Sequence, residues 1–150
     1  MTTQTNTPGM LNPRIVGQAE NAHRAVLDRE LAGTGVDYEQ WVALMLTSAA
    51  GAPIDRQRLV GEAAQGLKDP QAADSAVNAL IGMNLLNPVA GQSKLLSLTD
   101  AGRALVARVS KSTNDILARA YASVPAGDLA TTGRVLTTIT GQLDQELARK

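Results

Sequence analysis

Apolar residues recur at helical spacing along most of this chain, and the breaks in that rhythm mark its joints. Leu11, Ile15, Ala19, Ala22, Val26 and Leu27 share one face of the stretch Met10 to Ala32. They predict a first helix of about six turns, ending at Gly33-Thr34-Gly35. Val36 before Asp37, with Gln40 three residues on, has the form of a capping box behind an apolar residue. A second helix with Trp41, Leu44, Met45 and Leu46 is expected from there to Ala50, broken by Gly51-Ala52-Pro53. Asp55 can cap a third, short helix whose buried side holds Leu59, Val60, Ala63, Ala64 and Leu67.

The stretch Asp69 to Gly102 changes period. Asp69-Pro70 pairs an N-cap acceptor with a ring that pre-sets the first helical φ. Ala73, Ala76, Val77, Leu80 and Ile81 then form an apolar face, with Gln71, Asp74, Ser75 and Asn78 opposite. Asn84 stands where a left-handed residue ends a helix. Leu85-Leu86 returns to the core, Asn87-Pro88 reads as a turn, and Ala90-Gly91-Gln92-Ser93 as a hairpin tip. Leu95 to Leu98 has strand character, and Thr99 can cap the next helix. Helix, hairpin, helix is the local plan of a winged helix.

Two long helices follow. One runs from Asp100 to Ser123 with Leu105, Val109, Ile116, Leu117 and Ala120 inward. Pro125 and Gly127 divide it from the second, Gly127 to Ala148, where Leu129, Leu136 and Leu143 recur every seven residues beside Ile139 and Leu147. Threonines at 131, 132, 137, 138 and 140 oppose that helix, but the flanking periodicity outweighs them. The terminal helices are too long for so small a centre to cover, and soluble proteins rarely leave such stripes in water. Burial in a two-fold dimer is the simplest remedy. The expected fold is mainly α with a small β-hairpin wing: a winged helix-turn-helix with long N- and C-terminal dimerisation helices. Residues 1–9, polar and Thr-rich, are expected to form a disordered arm.

Composition narrows the chemistry. With 150 residues the chain can bury a core without staples, and it has no cysteine, one histidine and only three aromatic residues. Thiol catalysis and a zinc site cannot be assembled from this set. No glycine-rich loop opens a helix behind a strand to cradle a nucleotide. The expectation is therefore a protein that is not an enzyme, with no metal and no cofactor. No apolar run nears the roughly 20 residues that span a bilayer, and the N-terminus lacks a signal peptide's apolar core. A cytoplasmic protein without membrane association is expected. Fourteen basic and fourteen acidic residues cancel, so net charge points to no partner.

Three motifs carry a resemblance. Leu80-Ile81-Gly82-Met83-Asn84-Leu85-Leu86 resembles the end of a recognition helix, and Leu98-Thr99-Asp100-Ala101-Gly102-Arg103 resembles a Leu-Thr-x-x-Gly-Arg entry to the helix behind a wing. With Tyr38-Glu39-Gln40-Trp41 opening the second helix, they resemble the multiple-antibiotic-resistance regulator (MarR) family of bacterial transcription factors, from Leu11 to Leu147. The resemblance implies a single MarR-like domain over 10–150, with dimerisation helices at 10–35 and 104–150 and a winged-helix DNA-binding part at 36–103. It implies a homodimer on double-stranded DNA, reading a pseudo-palindromic operator as a ligand-responsive repressor. The recognition helix would enter the major groove and the wing the adjacent minor groove.

The reading head departs from the family's pattern. Between Ile54 and Arg103 five cations (Arg56, Arg58, Lys68, Lys94, Arg103) meet five acids (Asp55, Glu62, Asp69, Asp74, Asp100). Phosphate neutralisation supplies most non-specific affinity, so binding is expected to be weak or very salt-sensitive. Gln71 and Asn78 can read adenine in bidentate fashion, and Ser75 is undiscriminating. Lys94 is expected at phosphate, as is one of Arg56 and Arg58; Arg103 either braces the wing or touches phosphate. Without an arginine in the recognition helix, adenine/thymine-biased recognition is expected. A neutral wing also suits a competing function, a winged-helix dimer serving as a protein-interaction module.

For an effector the candidates are His23, Tyr38 and Trp41. His23 is either a pH- or ligand-sensing group or a surface histidine. Tyr38 and Trp41 either face a pocket for a small aromatic or anionic effector, as the resemblance implies, or belong to the core. Arg14, Arg24 and Arg29 either bind a ligand carboxylate or form a solvated helix face.

Overall fold

The computed structural model describes residues 9–149. Most of the expected N-terminal arm, residues 1–8, lies outside the described residues. The described chain forms six helices and three strands: α1 (Pro13–Leu31), α2 (Tyr38–Ala50), β1 (Ile54–Asp55), α3 (Arg56–Leu67), α4 (Pro70–Gly82), β2 (Leu86–Val89), β3 (Gln92–Leu98), α5 (Asp100–Tyr121) and α6 (Ala126–Ala148). They fall into two compact units that divide within α5, after Thr113.

The helix starts in the first unit follow their capping chemistry. α1 begins three residues later than its apolar pattern, because Asn12 accepts from the Ile15 amide at 2.9 Å and Pro13 occupies the first turn. Asp37 and Gln40 form a reciprocal capping box: the Gln40 amide donates to Asp37 Oδ1 at 2.8 Å, and the Asp37 amide to Gln40 Oε1 at 3.0 Å. Asp55 caps α3 and Asp69 caps α4. Such a cap typically contributes about 1 kcal/mol.

At its other end α4 closes in a Schellman motif. Asn84 takes φ of 61°, and the Leu85 amide returns to the Leu80 carbonyl at 3.0 Å. Leu80 and Leu86 are fully buried beside Leu44, Leu59, Val77, Leu96 and Val109, which draws α2, α3, α4, the sheet and the first part of α5 around one core. On α2, Trp41 and Leu44 are buried while Met45 is 38% exposed.

The sheet differs from a simple hairpin. It has three antiparallel strands in the order β1-β3-β2, with Ile54 opposite Leu96 and Leu86 opposite Leu98. Two residues are too few to show alternation, so β1 carries no sequence signal of its own. Asn87-Pro88, expected as a turn, lies inside β2. β2 is an edge strand, where a proline's missing N–H need not break a ladder bond.

Behind the hairpin, Thr99 caps α5: the Gly102 amide donates to its Oγ1 at 2.9 Å, and Oγ1 donates to the Asn84 carbonyl at 2.7 Å. A Cβ on Gly102 would run into the Leu85 carbonyl oxygen, so only glycine permits this approach.

The second unit comprises the end of α5 and α6. No residue of α6 is buried, and its start has no side-chain cap. Val135, Leu136, Ile139, Leu143 and Leu147 are all at least 36% exposed. Thr132, Thr137 and Thr140 turn their hydroxyls back to carbonyls four residues earlier, at 2.7 to 2.8 Å. Their hydroxyls are thereby satisfied within the helix.

Candidate nucleic-acid interface

α4 presents two opposed faces. Ala73, Ala76, Val77 and Leu80 are buried, while Gln71, Asp74, Ser75 and Asn78 are exposed, as the periodicity requires. Capped by Asp69 and closed by Asn84, the helix is a short, fixed rod with an amide- and hydroxyl-bearing outer side. It contains no lysine or arginine.

The cations around it are mostly engaged. Arg56, at the start of α3, reaches across to α4 and pairs with Asp74 at 3.0 Å. The same nitrogen donates to Asn78 Oδ1 at 2.6 Å. Arg58 pairs with Glu62 one turn along α3 at 3.0 Å. Arg103 donates to the Leu98 carbonyl at 2.9 Å and pairs with Asp100, which fixes it as a brace at the end of β3. Lys68 and Lys94 are exposed and carry no ion pair among the described residues. Lys68 is also the C-cap of α3, with φ of 60°.

The wing tip is Ala90-Gly91, with Gly91 at φ of 78°; Gln92 and Ser93, expected at the tip, already belong to β3. Its ladder is irregular. Pro88 faces Leu96 but Val89 faces Gln92, so Ser93, Lys94 and Leu95 of β3 have no partner on β2. Such bulges bend a strand and re-aim its side chains. Lys94 sits in the middle of this one, a placement that alternation along the strand could not reveal.

His23, Tyr38 and Trp41 are not brought together. Trp41 is 7% exposed and packs in the core. His23 is exposed on α1, where its Nδ1 donates to the Ala19 carbonyl at 2.6 Å. Tyr38 alone lines a cleft of about 360 Å³ at the α1–α2 junction, with Arg24, Asp28, Leu31, Ala32, Val36, Asp37 and Glu39. The Arg24 guanidinium lies 3.5 Å from the centre of the Tyr38 ring, a cation–π contact joining two residues read separately in the sequence. Among the described residues no group of His, Asp and Glu side chains is placed to hold a metal, and no helix is long and apolar enough to cross a membrane.

No protein-family model and no curated protein matches the chain. Solved structures do. A MarR family transcriptional regulator from Silicibacter pomeroyi DSS matches with a TM-score of 0.74 at 25% identity, over 96% of this chain and 99% of that one. NadR, solved in complex with 4-hydroxyphenylacetate, gives 0.70 at 16% identity over 88% and 96% of the two chains. A MarR family regulator from Rhodococcus sp. RHA1 gives 0.65 at 16% identity over 83% and 89%. The chain thus has the winged-helix fold of MarR-family transcriptional regulators.

Proposed function

We propose that this chain is a sequence-specific DNA-binding transcriptional regulator, a homodimeric repressor on a pseudo-palindromic operator, acting in the cytoplasm. The observation that carries this reading is the rigidly capped α4 with its exposed Gln71 and Ser75, followed by a wing, in a MarR-type fold. Gln71 reads a base edge and Ser75 supports it, while Lys68 and Lys94 meet phosphates. With so few cations unengaged, few phosphates are neutralised, so non-specific affinity is low and the salt slope is shallow. The exposed apolar residues Leu11, just before α1, Ile15 and Val16 of α1, and those of α6 are the surfaces that dimerisation covers.

A small aromatic or anionic effector lowers DNA affinity by binding beside Tyr38 and favouring a recognition-helix spacing that misfits successive major grooves. NadR's complex with 4-hydroxyphenylacetate supports the aromatic class. The engagement of Arg56, Arg58 and Arg103 in ion pairs favours a second reading, a winged-helix dimer that binds protein rather than DNA.

Anisotropy titration against the chain's own upstream DNA at low salt separates the two. Nanomolar binding supports the regulator; no binding at micromolar protein supports the interaction module. Sedimentation tests the dimer independently, and a monomer at micromolar concentration refutes it.

A further inference from the structure

Three polar side chains from two helices close on one another over the outward side of α4. Arg56 Nη2 donates to Asp74 Oδ1 at 3.0 Å and to Asn78 Oδ1 at 2.6 Å. Asn78 Nδ2 completes the ring by donating to Asp74 Oδ2 at 3.4 Å. Nη2 has two hydrogens, and both have acceptors. Arginine can only donate, so the amide of Asn78 must turn its oxygen toward the guanidinium and its nitrogen toward the carboxylate.

That arrangement has a chemical meaning. A guanidinium N–H beside a carboxylate oxygen sets a donor next to an acceptor. Adenine presents the same pattern in the major groove with its N6 amino group and N7, and asparagine reads it with its own oxygen and nitrogen. Asn78 has both of those atoms turned onto the ion pair.

We propose that the Arg56–Asp74 pair occupies the adenine-reading fork of Asn78. Arg56 is then a positioning residue that sets base specificity through Asn78, and its charge, matched by Asp74, is not directed at a phosphate. Adenine opposite Asn78 would have to break two existing bonds to form two new ones, so that position of the operator shows no base preference. Discrimination by α4 falls to Gln71 and Ser75. The proposal rests on the DNA-binding reading above.

Selection from random duplexes at low salt tests it with four proteins: the native chain, Asn78→Ala, Arg56→Met/Asp74→Ala, and the latter with Asn78→Ala added. The double replacement leaves net charge unchanged. Asn78→Ala is expected to select the same sequence as the native chain. The double variant gains a preference for adenine of about five-fold or more at one position of each half-site, and the triple variant loses it. Two results overturn the proposal while leaving DNA binding intact: loss of an adenine preference in Asn78→Ala, or an unchanged selection by the double variant. A fall of about one unit in the salt slope of the double variant would assign Arg56 to phosphate and also overturn it. A native chain that retains no duplex refutes the DNA-binding reading, and this proposal with it. The ring itself is read without DNA by nuclear magnetic resonance of the native protein. Resolved Arg56 η-protons with cross-relaxation to the Asn78 amide support it; averaged signals without that contact overturn it whatever the variants' folding.

Discussion

α4 and α6 are both amphipathic helices, and they solve the problem of their apolar face in opposite ways. α4 is 13 residues long, held by a side-chain cap, with four residues fully packed into its own unit. α6 is 23 residues long, has no side-chain cap, and buries none of its residues. Helical stability in proteins comes chiefly from packing of an apolar face rather than from propensity. α4 is therefore specified within the chain. For α6 the seven-residue recurrence of Leu129, Leu136 and Leu143 supplies a face whose cover is proposed to be a second copy.

Four substitutions separate these two regimes. Leu80→Ala empties a fully buried position beneath α4 and is expected to cost about 2–5 kcal/mol in denaturant unfolding. Gly102→Ala forces a methyl group against the Leu85 carbonyl, and an overpacking loss of about 1–3 kcal/mol is expected from the same measurement. A smaller change, about 1 kcal/mol, should follow Asp69→Ala, seen as a lower midpoint with an unchanged slope. Leu143→Ala, in contrast, should shift unfolding of the dilute monomer by less than about 0.5 kcal/mol. Its effect should appear in sedimentation as weaker self-association and a melting temperature less dependent on concentration. A Leu143→Ala loss as large as that of Leu80→Ala would erase the distinction.

The same contrast explains how much was legible in the sequence. Local chemistry was: Asp37 with Gln40, Asp55, Asp69 and Thr99 each cap the helix their spacing announced. Asn84 adopts the left-handed conformation expected of it. Interactions between distant residues were not. β1 exists only because Ile54 meets Leu96. Pro88 reads as a turn until β2 is seen to be an edge. Arg56 meets residues 18 and 22 positions away, and no periodicity in the sequence announces that contact. Trp41 had two open readings as a residue type, and only the packing places it in the core.

Thr99 stands at a crossing of three elements: its hydroxyl bonds the end of α4 and the start of α5, and its amide donates to the Leu85 carbonyl at 3.1 Å. The root of the wing is thereby welded to both helices, and Arg103 adds a strut to Leu98. Toward the tip the weld gives out, because Ser93, Lys94 and Leu95 have no partner on β2. The wing is a lever with a stiff base and a compliant end. The root is bonded to both helices, whereas Lys94, the residue proposed to meet a phosphate, lies where the β2–β3 ladder is interrupted.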